Sequence, residues 1–183
     1  LSPDLAPEMA TRLTERLSVT TDPRWFYLAV GSNDIPMLKK GITDLDKQLA
    51  SIQNEKLKYK FEELDAATHY TLVGQAMPRA LEHIFASYKP IGIKEYDEIV
   101  MMEGSPYDYL TQKYDVINKN FGIDKKVRIN DYLAVGKALE FLQKWEELEK
   151  LGDLARKQYP TSALGIYYQA RSYEATGKSK KAM

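Results

Sequence analysis

The stretch Trp25-Phe26-Tyr27-Leu28-Ala29-Val30, followed by Gly31-Ser32-Asn33-Asp34, decides how this chain is organised. Its first six residues are apolar, aromatic or β-branched, which is typical of a buried strand, and the polar residues that follow indicate a loop. A segment with helical periodicity comes next, and then a second strand-like run at residues 58–62. Because a helix separates the two runs, we expect parallel strands joined by a right-handed crossover.

Amphipathic helices are predicted around these strands. In residues 4–17 four apolar side chains recur every four positions, with Asp4 as a candidate N-cap. Residues 35–52 repeat apolar side chains at steps of three and four, and residues 77–88 carry the last such stripe. His69 falls in the loop before that last helix. The order from residue 25 is therefore strand, loop with a carboxylate, helix, strand, loop with a histidine, helix.

The composition indicates a globular chain and excludes several classes of function. Of the 183 residues 44% are hydrophobic and 28% charged, which is enough to build a core. Twenty-six basic residues balance twenty-six acidic ones, so the chain has no general affinity for nucleic acid. The absence of cysteine excludes disulfides and a thiol nucleophile, and leaves the compartment, secreted, periplasmic or cytoplasmic, open. No apolar run is long enough to span a bilayer.

The N-terminus resembles neither a signal peptide nor a methionine start, so we expect a fragment or a processed product.

The second half of the sequence is predicted to be helical. Residues 90–92 mark a boundary, residues 106–120 indicate a helix, and a repeat with a period of 34 begins near residue 130. The repeat aligns pairs of mostly apolar or small residues: Gly136 with Ala170, Leu139 with Tyr173, Trp145 with Ser179 and Leu148 with Ala182. This segment resembles tetratricopeptide repeats in Gly136, Ala155 and Pro160, with Tyr132 where tryptophan is commonest, and departs from them at Leu148 and Gly152. We expect the second repeat to be truncated.

The first half resembles the C-terminal end of an α/β-hydrolase, in particular the putative esterase family that includes esterase D and the trilactone siderophore esterases. Three features carry the resemblance: Ser2-Pro3 opening a helix, the strand Phe26 to Gly31, and the histidine loop His69-Tyr70-Thr71-Leu72-Val73 with the helix after it. Several proteins of this group also carry tetratricopeptide-like C-terminal helices.

The resemblance implies a catalytic triad in the chain order Ser, Asp or Glu, His. His69 matches the general base and Asp34 the acid that orients it, although some siderophore esterases are described as working with a serine–histidine dyad, which would make Asp34 dispensable. No Gly-x-Ser-x-Gly motif occurs in the chain. Ser2 lies where the family has no nucleophile, and Ser32 lies in the acid loop. The resemblance therefore places the nucleophile upstream of Leu1 and implies that this chain alone is inactive.

Simpler interpretations of the same residues stay open. His69 can be an ordinary loop histidine, and Asp34 can simply cap the helix that begins near Ile35. His83 lies on an apolar helix stripe and is interpreted as a packing residue. The acidic residues between positions 95 and 103 do not have the spacing of a calcium loop, so no metal is assigned, and no cofactor is implied.

These observations predict the following organisation. Residues 1–90 are the C-terminal part of an α/β-hydrolase domain with the order strand-helix-strand-helix, residues 91–129 are a linker with a helix, and residues 130–183 are an all-α tetratricopeptide-like extension. The predicted function is hydrolysis of a small-molecule ester by the full-length serine esterase, with His69 and Asp34 as site residues. The alternative is a non-catalytic interaction module that binds a protein partner through its helical repeat. Self-association, through that repeat or through an exposed sheet edge, is a further alternative.

Overall fold

A computed structural model describes residues 6–178 of the chain. The chain divides into two compact units, residues 1–86 and residues 87–183, which are described separately. The predicted Asp4 cap, the Ser2-Pro3 helix start and the repeat positions Ser179 and Ala182 lie outside the described residues.

The first unit contains three helices and two strands. In chain order they are α1 (Ala6–Ser18), β1 (Arg24–Asn33), α2 (Pro36–Ala50), β2 (Leu57–Thr68) and α3 (Leu72–Ile84), followed by a short 3₁₀ turn (Ala86–Tyr88). The strands β1 and β2 pair in parallel. Leu17 of α1 packs with Leu45 and Leu49 of α2, and these three side chains form a core against the aromatic and apolar residues of both strands.

The fold-class prediction, a C-terminal portion of an α/β-hydrolase followed by an all-α extension, is wrong. Helices account for 62% of the described residues, in eight α-helices, and the sheet among these residues has two strands only. The physical reason for the error is that a strand-helix-strand pattern reports the parallel pairing of its own two strands. It does not report how many further strands flank them, and helices dominate the rest of the chain.

The second unit is built from five helices among the described residues. They are α4 (Ile93–Met101), α5 (Pro106–Phe121), α6 (Ile129–Phe141), α7 (Trp145–Gln158) and α8 (Leu164–Ala175). Helix α5 begins at the N-cap Ser105, whose hydroxyl accepts a hydrogen bond from the Asp108 amide, and ends at Gly122, which is left-handed with φ 62°. Both ends of α5 lie within one residue of the helix predicted at residues 106–120.

Residues 91–129, predicted to be a linker with one helix, contain both α4 and α5. Leu110, Tyr114 and Ile117 of α5, together with Val127, are buried in the same core as residues of α6, α7 and α8. This segment is therefore part of the packed second unit.

Glycines allow close contacts between α6, α7 and α8. A Cβ added to Gly165 of α8 would lie 2.6 Å from the carbonyl oxygen of Gly152 on α7, and one added to Gly136 of α6 would lie 2.6 Å from the ring of Tyr168. A side chain at either position would force its neighbour to move, and at Gly165 that neighbour is the backbone of α7. Helix α7 ends at Gln158, two residues before Pro160, which could not continue the helix.

Candidate functional site

Asp34 lies directly after β1, where the chain turns into α2. Its amide donates to the Gly31 carbonyl at 3.1 Å, and its Oδ1 accepts the Ile35 amide at 2.7 Å. The side chain is 4% exposed. The N-cap of α2 is Ile35, and no side chain caps the helix there. The carboxylate is thus buried and held by the loop, and it is not the N-cap of the helix.

His69 lies directly after β2, in a turn that leads into α3. Its Nδ1 lies 3.2 Å from Oδ1 of Asp34, and its side chain is 48% exposed. The turn is closed by the Thr71 amide, which donates to the Thr68 carbonyl at 3.1 Å, and the ring of Tyr70 contacts the imidazole edge-on. The structure therefore brings together the two residues that the sequence singled out, one carboxylate and one imidazole.

A break in the strand register places these two loops side by side. Gly31 pairs with Leu64, but Asn33 pairs with Thr68, so β2 carries extra residues opposite the end of β1. Ala66 adopts φ 55° within this bulge, and its amide donates to the Ser32 hydroxyl at 2.8 Å. Bulges of this kind are frequent next to functional sites because they redirect the residues that follow.

An apolar pocket of about 280 Å³ adjoins the Asp34–His69 pair. Its wall comes from α1, α2 and the start of α3, with Leu13, Leu38, Ile42, Leu45 and Leu72 among the residues that line it. Of the described residues in this lining, Asp34 and His69 alone have polar side chains. An apolar cleft with a few convergent polar groups is the usual form of a small-molecule site.

The sequence did not predict this pocket. Its wall joins residues of three helices that are distant in the chain, and each apolar stripe by itself predicts only a core-facing helix. The glycine at position 41, which lies inside the helical pattern of α2 and lines the pocket, is the one signal that the sequence offered.

The pair lacks a nucleophile among the described residues. None of them forms a hydrogen bond with Nε2 of His69, and the hydroxyl of Ser32, near the end of β1, accepts the Ala66 amide. Ser2 lies outside the described residues. No group of three or more histidine, aspartate and glutamate side chains placed to hold a metal occurs in residues 6–178. What the pair can do chemically is accept a proton at Nε2 while the carboxylate steadies the imidazolium.

His83, the other histidine, lies apart from the site. Its Nε2 is 2.7 Å from the Lys58 carbonyl oxygen, and its ring is near that of Tyr27. It links α3 to β2, in agreement with the packing role expected for it.

Comparisons with known proteins identify a structure of similar fold. No protein-family model matches the chain, and no curated protein matches it. The crystal structure of an uncharacterised protein from Capnocytophaga ochracea DSM 7271 is similar to it, with a TM-score of 0.84 and 27% sequence identity. The match covers 96% of this chain and 50% of that one, so the chain spans about half the length of the similar protein.

The described part of the chain holds no helix with both the length and the apolar character that crossing a bilayer requires.

Proposed function

We propose that His69 and Asp34 are the general base and the orienting acid of an ester hydrolase, whose nucleophilic serine lies outside the described residues. The observation that carries the proposal is the 3.2 Å distance between Nδ1 of His69 and Oδ1 of Asp34 beside an apolar pocket. A buried carboxylate at Nδ1 fixes the tautomer in which Nε2 is free to accept a proton.

The reaction divides into two acyl transfers. In the first, Nε2 of His69 takes the serine proton as the hydroxyl oxygen attacks the ester carbonyl, and returns that proton to the departing alcohol oxygen. In the second, Nε2 takes a proton from water, whose oxygen attacks the acyl-enzyme, and returns it to the serine as the carboxylic acid leaves. Asp34 stays ionised throughout and stabilises the imidazolium.

The length of the similar protein supports a nucleophile outside this chain. That protein is about twice as long as the part that matches, which leaves room for further catalytic elements. The proposal therefore concerns the whole gene product, with a small-molecule ester as its substrate.

The test compares the two histidines of the chain in the whole gene product. We expect His69→Ala to lower ester turnover by a factor of about 10² to 10⁴, the usual contribution of general acid–base catalysis. It should also abolish labelling by a fluorophosphonate, which reacts with activated serines. His83→Ala is the matched control and should keep both the ester turnover and the fluorophosphonate labelling of the wild type. Equal turnover of wild type and His69→Ala would exclude the proposal.

The helical unit supports the second candidate, a non-catalytic module that binds a protein partner. Five large apolar side chains of α6 and α8 are exposed, namely Ile129, Leu133, Phe141, Ile166 and Tyr167. The neighbouring Tyr168 is buried and donates to the Tyr132 carbonyl, so it belongs to the core. A whole gene product that hydrolyses no ester and takes no fluorophosphonate label would favour this candidate.

A further inference from the structure

The apolar pocket beside His69 indicates which part of an ester this site accepts. The inference rests on the proposed function. In that mechanism Nε2 protonates the oxygen of the departing alcohol, so this oxygen must come within hydrogen-bond reach of His69. His69 lines the pocket, so the pocket is close enough to receive the alcohol side of the ester bond.

The lining of the pocket selects a hydrocarbon chain. Leu38, Ile42 and Leu45 line the pocket from α2, and Leu13 lines it from α1. The described lining residues include no lysine or arginine, and Oδ1 of Asp34 contacts His69 and accepts the Ile35 amide. Away from the Asp34–His69 pair, a charged or strongly hydrogen-bonding group would thus lose its hydration here without compensation.

Gly41 keeps this space open. It lies in the middle of α2, where glycine is a poor helix former, and a Cβ added there would meet no described atom within 4 Å. Steric contact with other described residues therefore does not explain why position 41 is a glycine. A larger side chain at position 41 would occupy the pocket volume instead.

We propose that this pocket binds the alkyl chain of the alcohol half of the substrate, which makes the enzyme selective for esters of medium-length aliphatic alcohols. Each methylene that enters the pocket should raise kcat/KM about fourfold, the factor that corresponds to burial of one methylene. The acyl half lies on the other side of the scissile bond and should not show this dependence.

The test measures hydrolysis of two ester series by the whole gene product. We expect kcat/KM to rise from ethyl to butyl to octyl acetate, and to change much less from ethyl acetate to ethyl butyrate to ethyl octanoate. Gly41→Leu should remove the dependence on the alcohol chain, while Gly41→Ala, the matched control, should largely keep it. A flat alcohol series in an active enzyme would overturn the inference and leave the proposed function standing.

Binding of octanol separates the pocket from the chemistry. Wild type and His69→Ala should both bind octanol, measured by calorimetry, and Gly41→Leu should not. Octanol binding without hydrolysis of any ester would overturn the proposed function and support the apolar site. A large fall in the thermal midpoint of Gly41→Leu, with none in Gly41→Ala, would mean that the protein itself fills the pocket, and the inference would fail.

Discussion

Nδ1 of His69 lies 3.2 Å from Oδ1 of Asp34, although the two residues follow different strands. The carboxylate is buried and also accepts the Ile35 amide, whereas the imidazole is about half exposed. One ring nitrogen is therefore held by the protein, and the other is open to a reacting group. This asymmetry is what a general base requires.

Asp34→Asn should lower turnover without unfolding the protein. The amide keeps the shape of the side chain and can still accept the Ile35 amide, but it favours the wrong imidazole tautomer and cannot stabilise an imidazolium. The corresponding change in a serine protease lowers kcat by about 10⁴, and we expect a loss of about 10² to 10⁴ here. The measurement is kcat of the whole gene product together with its thermal midpoint. Asp44→Asn, at an exposed carboxylate that pairs with Lys40, is the control. If kcat is unchanged, Asp34 has only a structural role.

Gly31→Ala should destabilise the bulge that places the site. The added Cβ would lie 2.2 Å from the Ala67 carbonyl oxygen, so the backbone of one strand must move. We expect a cost of about 1 to 3 kcal/mol in the free energy of unfolding, as for other overpacked sites, and a loss of turnover as the two loops separate. Gly74→Ala in α3 is the control, because its Cβ would meet nothing within 4 Å and alanine favours a helix. Equal stability of the two variants would show that the strands can separate at Gly31 without cost.

The sequence was sufficient for the local elements of the first unit and for the positions of Asp34 and His69. A continuous apolar run from Trp25 to Val30 and a helical stripe after it leave few alternatives, and loop residues after parallel strands meet at one edge of the sheet. The end of β2 was missed. The charges at Glu63 and Asp65 interrupt the apolar pattern beyond residue 62, but Leu64 between them and Ala67 after them are buried in the strand.

The sequence alone did not predict the packing between elements that are distant in the chain. The pocket combines α1, α2 and α3, and no single stripe shows which helices will leave a gap between them. Asp131 is fully buried, although a charged residue among helix-forming neighbours predicts an exposed position. Its burial depends on partners that come from two other segments of the chain.

The pH dependence of stability should report on Glu62 of β2. The Tyr27 hydroxyl donates to its carboxylate, and Lys60 and Arg79 lie nearby, so the pKa of Glu62 is held below its usual value, chiefly by the Tyr27 hydrogen bond. A carboxylate whose pKa is lower in the folded state contributes stability above its unfolded pKa of about 4.3, and this stability is lost as the pH falls through the folded value.

Glu62→Gln should therefore be less stable than wild type at pH 7, by roughly 1 kcal/mol, and the difference should shrink as the pH falls below the unfolded pKa of about 4.3. The measurement is the free energy of unfolding in urea at several pH values. The exposed Glu55→Gln is the control and should change stability little at any pH. A difference that stays constant with pH would mean that the charge of Glu62 contributes nothing.

Tyr114→Phe should strongly destabilise the second unit. The Tyr114 hydroxyl donates to the fully buried Asp131 carboxylate at 2.7 Å and accepts the Arg128 amide at 2.8 Å. Its loss leaves the carboxylate with the Ile91 amide as a donor and with Arg128 at 3.9 Å, so we expect a cost of about 2 to 3 kcal/mol in the free energy of unfolding.

Alkaline unfolding provides an independent check on Tyr114. Burial raises its pKa to about 12, so the folded state keeps this proton when the unfolded tyrosine, with a pKa near 10, has lost it. The stability that the raised pKa contributes is complete below pH 10 and is lost as the pH rises through about 12. The difference between wild type and Tyr114→Phe should therefore shrink over this interval. Tyr167→Phe, at a half-exposed hydroxyl, should change stability by less than about 0.5 kcal/mol. If Tyr114→Phe were equally mild, the buried Asp131 would have to obtain its stabilisation elsewhere.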